Sequence, residues 1–252
     1  MIKPKKSLGQ NFLIDKNILE KIVKSTNIED KTVLEVGPGT GSLTNELLKD
    51  QYRIKALEID SSAVSVLQER FSEVPNIEIL NEDAMMFDYS QLTGPWWIFV
   101  SNLPYNIGTR LLVKLVTEVP VLHRYVVMLQ KEVAQRIVAQ PGSKDYGAIS
   151  VLFSLYTTSK LQFDVSKNCF HPQPKVTSSV ITIQREALID EDIRFQAFEI
   201  AKTAFQQKRK KIRSSLKTIL TESKLEELGL DPNSRAEELS TEDFYKIAEM
   251  SI

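Results

Sequence analysis

Short runs of apolar residues alternate along the chain with segments whose apolar residues recur at spacings of three and four. The short runs are rich in β-branched and aromatic residues, which predicts buried strands, and the spaced segments predict amphipathic helices between them. The predicted strands cover residues 32–36, 53–59, 77–80, 97–100 and 125–129. This alternation of strand and helix predicts an α/β fold, in which a parallel sheet is covered by helices on both faces.

The pattern changes toward the C-terminus. Residues 148–156 predict a further helix, and strand-like stretches at 161–165 and 176–183 predict a hairpin-like pair that completes the sheet. Beyond these stretches only helical patterns with capping residues remain. We therefore predict two domains, an α/β domain of residues 1–186 and a small all-helical domain of residues 187–252.

The composition is that of an ordinary globular protein. Of the 252 residues, 42% are hydrophobic and 26% are charged, which is enough apolar material for a sizeable core. The apolar runs are far shorter than the roughly 20 residues that cross a bilayer, so we expect no membrane segment. The charged start of the chain, with no apolar stretch after it, favours a cytoplasmic protein. One cysteine and two histidines are too few for a protein-built zinc centre, so we expect no metal.

A net charge of −1 hides a strongly basic block. Residues 202–217 contain seven basic and no acidic residues, whereas residues 218–252 contain nine acidic and three basic residues. Apolar residues between the basic ones predict one amphipathic helix; they are Ala204, Phe205, Ile212, Leu216 and Ile219. Its basic face is either a solvated surface or a contact for nucleic-acid phosphates. The candidates for that contact are Lys208, Arg209, Lys210, Lys211 and Arg213.

Closely spaced glycines follow the strand at 32–36, where they let the backbone approach a ligand. They are Gly37, Gly39 and Gly41. Glu58 ends the next strand, where its carboxylate is suited to accept hydrogen bonds from two ribose hydroxyls. Asp83 and Ala84 follow the third strand and offer a carboxylate and a backbone N–H to an adenine. These residues predict a nucleoside site, and they leave open whether the cofactor is NAD or S-adenosylmethionine.

Asn102, Leu103, Pro104 and Tyr105 follow the fourth strand. Methylation of a base amine is difficult because the nitrogen lone pair is delocalised into the ring, so acceptors have to hold both N–H bonds. The side-chain oxygen of Asn102 and the carbonyl of Leu103 supply two such acceptors, and Tyr105 offers a ring on which a flipped base stacks. The simpler alternative is a proline turn with a buried tyrosine.

Six separated motifs, in this order, resemble those of the ribosomal RNA adenine N6,N6-dimethyltransferases, and the resemblance covers nearly the whole chain. The motifs are residues 7–13, Glu35 to Gly41 with Glu58, Asp83–Ala84, Asn102 to Asn106, Phe170 to Val180, and Phe205 to Lys211 with Arg235 to Leu239. The proline-containing Phe170 segment and the Arg235 segment favour the small-subunit branch, the kasugamycin-resistance methylases, over the erythromycin-resistance relatives.

The resemblance implies a Rossmann-like methyltransferase sheet that binds S-adenosylmethionine. The implied cofactor-binding residues are Gln10, Asn11, Leu13, Gly37, Gly39, Gly41, Glu58, Ile59, Asp83, Ala84 and Asn102. The implied catalytic residues are Asn102, Leu103, Pro104, Tyr105 and Phe170, with Phe170 as a second aromatic wall opposite Tyr105.

The implied substrate is a pair of adjacent adenosines near the 3′ end of small-subunit (16S) ribosomal RNA, dimethylated in the assembling subunit by a monomeric enzyme. Three alternatives remain. One is a methyltransferase that acts on large-subunit RNA, and another is a noncatalytic ribosome-assembly or transcription factor with the same fold. The third, an NAD oxidoreductase, is disfavoured by Ser42, which stands where a dinucleotide fingerprint has its last glycine or alanine.

Overall fold

The computed structural model describes residues 4–5, 8–27, 32–94, 96–186 and 190–251. Ser7 of the first motif and residue 187, at the start of the predicted helical domain, lie outside the described residues. The strands are β1 (Phe12–Leu13), β2 (Thr32–Val36), β3 (Arg53–Leu57), β4 (Ile77–Leu80), β5 (Trp97–Asn102), β6 (Leu122–Gln130), β7 (Thr157–Val165), β8 (Phe170–His171) and β9 (Ser178–Arg185). The helices are α1 (Lys16–Lys24), α2 (Ser42–Lys49), α3 (Ser61–Arg70), α4 (Gly108–Glu118), α5 (Lys131–Val138), α6 (Ala148–Tyr156), α7 (Glu191–Gln206), α8 (Ile212–Ser215), α9 (Glu222–Glu227) and α10 (Thr241–Glu249).

The predicted α/β fold is confirmed. Seven strands form one sheet in the order β4-β3-β2-β5-β6-β9-β7, flanked by helices. The first five of these strands in chain order, β2 to β6, run parallel to one another. Strands β3 and β4 lie on one side of β2 in the sheet, and β5 and β6 lie on the other side. Ligands of such sheets bind at the strands' carboxyl ends where the order reverses, which here is between β2 and β5.

The last strands are arranged less simply than the hairpin-like pair we predict from the pattern. Strands β7 and β9 are neighbours, but β9 also pairs antiparallel with β6, from Arg124 opposite Gln184 to Gln130 opposite Ser178. A second, two-stranded sheet joins β1 to β8. The pattern does not predict this sheet, because two residues a strand are too few to show a periodicity.

Helix α1 is capped by Asp15. The Asp15 carboxylate accepts hydrogen bonds from the N–H groups of Asn17 at 2.9 Å and Ile18 at 3.2 Å, which caps the first turn. One side of the helix then buries apolar residues in the core formed with strands β2, β5 and β6. Those residues are Leu19, Ile22 and Val23.

Contacts divide the chain into two compact units, which we call unit 1 (Met1–Ala134 with Lys160–Arg185) and unit 2 (Gln135–Ser159 with Glu186–Ile252). Residues 135–159, which the sequence assigns to the α/β domain, therefore belong with the C-terminal helices. Helix α6 is apolar on nearly all sides, so it needs cover from more than one direction. Within unit 2 that cover includes α7, whose Arg194 lies 5.2 Å from the centre of the Tyr156 ring.

The single amphipathic helix predicted from Ala204 to Ile219 is wrong. Helix α7 ends at Gln206, and the N–H groups of Ile212 and Arg213 donate to the carbonyls of Ser234 and Pro232. Like charges three or four residues apart repel one another in a helix, as Lys208 and Lys211 or Arg209 and Arg213 would. The hydrogen bonds to residues 232 and 234 satisfy the two backbone N–H groups in place of helical ones. The predicted apolar positions Ala204, Ile212 and Leu216 are nevertheless fully buried.

None of the helices in the described ranges combines the length and the apolar character that a membrane crossing requires.

The buried Glu35 carboxyl in β2 makes stability depend on pH. Its Oε2 accepts a hydrogen bond from Thr44 Oγ1 at 2.7 Å. Burial raises the pKa of Glu35 from its ordinary 4.5 to about 8, against the smaller opposing effect of Thr44. The folded state therefore keeps a proton that the unfolded chain loses, so this group lowers stability as pH rises from about 5 to about 8.

Glu35→Gln keeps the shape and the acceptor but removes this titration. We expect the loss in free energy of unfolding between pH 5 and pH 8 to be smaller in the variant, by at least about 1 kcal/mol. Urea denaturation at both pH values measures it, with Glu20→Gln on the surface of α1 as the matched control. Parallel pH profiles for Glu35→Gln and the wild type would contradict the assignment.

Candidate functional site

A cleft of about 670 Å³, including its open mouth, lies at the carboxyl ends of β2 to β5 in unit 1. Its walls come from four places: the N-terminal segment, the glycine turn after β2, the ends of β3 and β4, and the loop after β5. Its lining includes most of the residues that the sequence nominates, namely Gln10, Asn11, Gly37, Gly39, Glu58, Ile59, Asp83, Ala84, Asn102, Leu103, Pro104 and Tyr105.

The glycine turn is packed so closely that side chains are excluded. Gly39 has a φ of +57°, in the left-handed region that favours glycine. A Cβ on Gly39 would lie 2.7 Å from Cε1 of Phe12. Gly37 has a φ of +68°, and its N–H donates to the carbonyl of Leu57 at 2.9 Å. The turn therefore lines the cleft with backbone.

Glu58 links the glycine turn to the start of α3. Its side chain is buried, its Oε2 accepts from the N–H of Gly39 at 3.0 Å, and its Oε1 accepts from the N–H of Asp60 at 3.0 Å. Burial raises the pKa of Glu58, and the two N–H groups oppose the rise. Each carboxylate oxygen retains a second lone pair for a ligand hydroxyl.

Ile59, Asp83 and Ala84 form the next part of the wall. Ile59 is apolar yet 52% exposed, and it lines the cleft. Asp83 Oδ1 accepts from the N–H of Met85 at 2.8 Å, and the Ala84 carbonyl accepts from the Tyr89 hydroxyl at 2.7 Å. These hydrogen bonds hold the turn after β4 in one conformation beside an apolar surface.

The loop after β5 is held from several directions. Asn102 Nδ2 donates to the carbonyl of Asn11 at 3.1 Å, which leaves Oδ1 as the acceptor end of the amide. The N–H of Leu103 donates to the carbonyl of Met128 at 3.2 Å. The Tyr105 hydroxyl shares a 2.6 Å hydrogen bond with Ser178 Oγ. The loop thus presents acceptors and an aromatic ring on a rigid support.

Three nominated residues lie outside the cleft. Leu13 lines a smaller neighbouring cavity that shares Phe12, Gly37 and Asn102 with the cleft. Gly41 begins α2, and a Cβ there would lie 2.7 Å from Cδ2 of Leu67, so it serves helix packing. Phe170 is 2% exposed in the hydrophobic core, so the structure does not place it as a wall opposite Tyr105.

The structure also adds residues that sequence reasoning missed. Ser178 supports Tyr105 from 73 positions away, and Asp60 receives a hydrogen bond from Lys5, 55 positions away. Asp60 immediately follows Glu58 and Ile59, so its position at a strand end was the available signal. Ser178 lies inside the Phe170 motif but carries no local pattern that points to Tyr105.

The five basic candidates lie in unit 2 on exposed positions around the turn after α7. Two of them pair with carboxylates, Lys208 with Glu237 at 3.3 Å and Arg213 with Glu222 at 3.7 Å. The five basic side chains are thus exposed on one short segment, residues 207–213, which we call the basic turn.

A parallel sheet with a glycine turn, a carboxylate on the next strand and an Asn-Leu-Pro-Tyr loop defines an S-adenosylmethionine-dependent methyltransferase. The chain belongs to the ribosomal RNA adenine dimethylase family, whose pattern it matches over residues 1–252. The resemblance seen in the motifs is confirmed, the protein is an rRNA adenine methyltransferase, and the comparisons do not favour an NAD oxidoreductase.

Relatives match along nearly the whole chain. Ribosomal RNA small subunit methyltransferase A of Methylococcus capsulatus is 41% identical over 248 residues, 97% of this chain and 96% of that protein. The protein of the same name from Staphylococcus haemolyticus is 39% identical over an alignment of 263 positions, which covers 97% of this chain and 89% of that protein.

Solved structures show the same fold. A dimethyladenosine transferase from Plasmodium falciparum superposes with a TM-score of 0.78 at 25% identity, covering 94% of this chain and 95% of that one. The 23S rRNA methyltransferase ErmE superposes with a TM-score of 0.76 at 26% identity, covering 96% of this chain and 99% of that one.

Gly39→Ala tests how closely Phe12 covers the glycine turn. Gly142 also has a positive φ, +79°, but no atom lies within 4 Å of its Cβ position, so Gly142→Ala carries the backbone cost alone. That cost is about 1–2 kcal/mol. We expect Gly39→Ala to lower the free energy of unfolding by at least about 1 kcal/mol more, measured by urea denaturation. Equal losses would show that Phe12 moves aside freely.

Proposed function

We propose that this enzyme transfers two methyl groups to N6 of each of two adjacent adenosines near the 3′ end of 16S ribosomal RNA in the assembling small subunit. The observation that carries the proposal is the convergence of a nucleoside cleft and the Asn102–Tyr105 loop in one site. The two relatives named for the small subunit, at 41% and 39% identity, support this choice over a large-subunit target. We further propose that it acts as a monomer in the cytoplasm.

The cleft fits S-adenosylmethionine by the chemistry of its donors and acceptors. Glu58 offers free lone pairs to ribose hydroxyls, and Asp83 with the Ala84 N–H matches an adenine edge. Ile59 supplies an apolar surface for the ring, and the side-chain-free Gly37 and Gly39 leave room for the rest of the molecule. Gln10 and Asn11 close the opposite wall. When bound, the cofactor supplies a methyl group on a positively charged sulfur.

The loop after β5 prepares the target amine. Asn102 Oδ1 and the Leu103 carbonyl oxygen each accept a hydrogen bond from one N–H of the N6 amine. These two hydrogen bonds favour a pyramidal nitrogen with an available lone pair. Stacking on Tyr105 holds the flipped adenine, an interaction worth about 1–3 kcal/mol. Catalysis then comes mainly from positioning, and the proton released from the methylated amine passes to water.

Asn102→Ala removes one of the two acceptors. We expect the methyl-transfer rate to fall at least about 100-fold, whereas S-adenosylmethionine affinity falls much less, because the other cleft residues remain. Methyl incorporation and calorimetric cofactor binding measure the two effects separately. Wild-type turnover in this variant would disprove the role of Asn102.

The basic turn is proposed to bind RNA phosphates. We expect binding to the small subunit to weaken when Lys208, Arg209, Lys210 and Lys211 are changed to Gln. The slope of the logarithm of the binding constant against the logarithm of salt concentration is also expected to become shallower, by up to about one unit for each phosphate that the variant no longer neutralises. The matched control changes four surface lysines elsewhere, Lys16, Lys24, Lys49 and Lys246, for the same change in net charge. Equal salt slopes for both variants would mean that the basic turn is only a solvated surface.

The substrate is tested by tritiated methyl transfer to undermethylated small subunits and, in parallel, to large-subunit RNA. Dimethyladenosine in the small subunit alone is the expected product. Label in the large-subunit RNA would show that the enzyme methylates that RNA instead, the alternative target suggested by the similarity to ErmE. No label in either, with the cofactor still bound, would indicate a noncatalytic assembly factor.

A further inference from the structure

The N-terminal segment forms one wall of the cleft, through the consecutive residues Leu8 to Phe12. Among the described residues, three hydrogen-bonded attachments hold this wall to the rest of unit 1. Strand β1 pairs with β8, and the Asn11 carbonyl accepts from Asn102. The third attachment lies on the N-terminal side of the wall, where Lys5 and Gln10 both contact Asp60.

Asp60 is the centre of that third attachment. Its side chain is fully buried, and its Oδ1 lies 2.7 Å from Nζ of Lys5, which is itself half exposed. Gln10 Nε2 approaches Oδ2 at 3.5 Å, and the Gln10 Oε1 accepts from the N–H of Lys5 at 2.8 Å. Lys5, Gln10 and Asp60 therefore form a closed ring of hydrogen bonds.

Asp60 also belongs to the opposite side of the cleft. It begins α3, accepting from the N–H of Ser62 at 3.0 Å, and its own N–H donates to Glu58 Oε1. Although burial favours the neutral acid, the hydrogen bonds from Lys5, Ser62 and Gln10 outweigh it and lower the pKa of Asp60 to about 2. The side chain does not itself line the cleft.

We propose that Asp60 is a positioning residue for the cofactor. The Asp60 carboxylate holds the N-terminal wall against the Glu58 side of the cleft, and we call this contact the latch. Breaking the latch leaves Glu58 and the loop after β5 in place but frees one end of the wall that covers the site. Cofactor affinity then falls, because the wall has to be ordered on binding. The rate at saturating cofactor changes little, because the groups that face the target amine are untouched.

Two variants separate the latch from the helix cap. Asp60→Asn keeps the size and a good N-cap residue but removes the charge, and Lys5→Met removes the cation and leaves Asp60 intact. We expect the S-adenosylmethionine dissociation constant, measured by calorimetry without RNA, to rise about tenfold for Asp60→Asn and about fivefold for Lys5→Met. Amide hydrogen exchange in residues 8–12 is expected to accelerate in both, and kcat to stay within about twofold of the wild type.

Lys5→Arg, which keeps the charge, is expected to bind the cofactor like the wild type. Lys49→Met is the matched control, since Lys49 is a half-exposed lysine that pairs with Glu46 at 2.6 Å away from the cleft. Wild-type affinity in Lys5→Met, or a fall in kcat at unchanged affinity, would overturn the proposal. If Asp60→Asn fails to fold, Lys5→Met alone decides. Because cofactor binding is measured without RNA, the result does not depend on which RNA is methylated.

Discussion

The buried carboxylate of Glu58 is the centre on which the site is built. Glu58 accepts one backbone N–H from the glycine turn and one from the start of α3, so it holds together two loops that belong to different strands. Removing a carboxylate from water costs free energy unless hydrogen bonds satisfy it, and here the backbone supplies those bonds before any ligand arrives. The same residue lines the cleft, so under the proposed function its oxygens would meet the cofactor in an arrangement that already exists.

Much of the fold follows from local patterns. Strands β2, β5 and the second half of β6 are buried along nearly their whole length, so their sequences are nearly continuous apolar runs, and the spacing of the intervening helices separates them clearly. The cleft residues are also recoverable, because glycine and carboxylate residues at the ends of parallel strands have few other uses. Leu13, Gly41 and Phe170 are the exceptions, and for Phe170 the reason is that an aromatic residue in a motif suits a core as well as a binding wall.

What the sequence does not reveal is pairing over long distances. The Tyr105–Ser178 and Lys5–Asp60 hydrogen bonds join residues that share no periodicity, and the two-residue strands β1 and β8 are recognisable only once they pair. The apolar character of α6 predicts that it is covered but not by which helices. The failure of the predicted helix beyond Gln206 has the same origin, because the carbonyls that pair with the N–H groups of Ile212 and Arg213 belong to residues 232–234, far along the chain.

The ion pairs of the basic turn have a consequence for selectivity. Lys208 and Arg213 already hold the carboxylates of Glu237 and Glu222, so an RNA that binds there exchanges one anionic partner for another. Glu237 and Glu222 compete with phosphate for these two cations, so a single phosphate gains little free energy by displacing one of them. Under the proposed RNA contact, a surface that presents several phosphates at matching positions would replace both carboxylates together, so the exchange would select for shape as well as for charge.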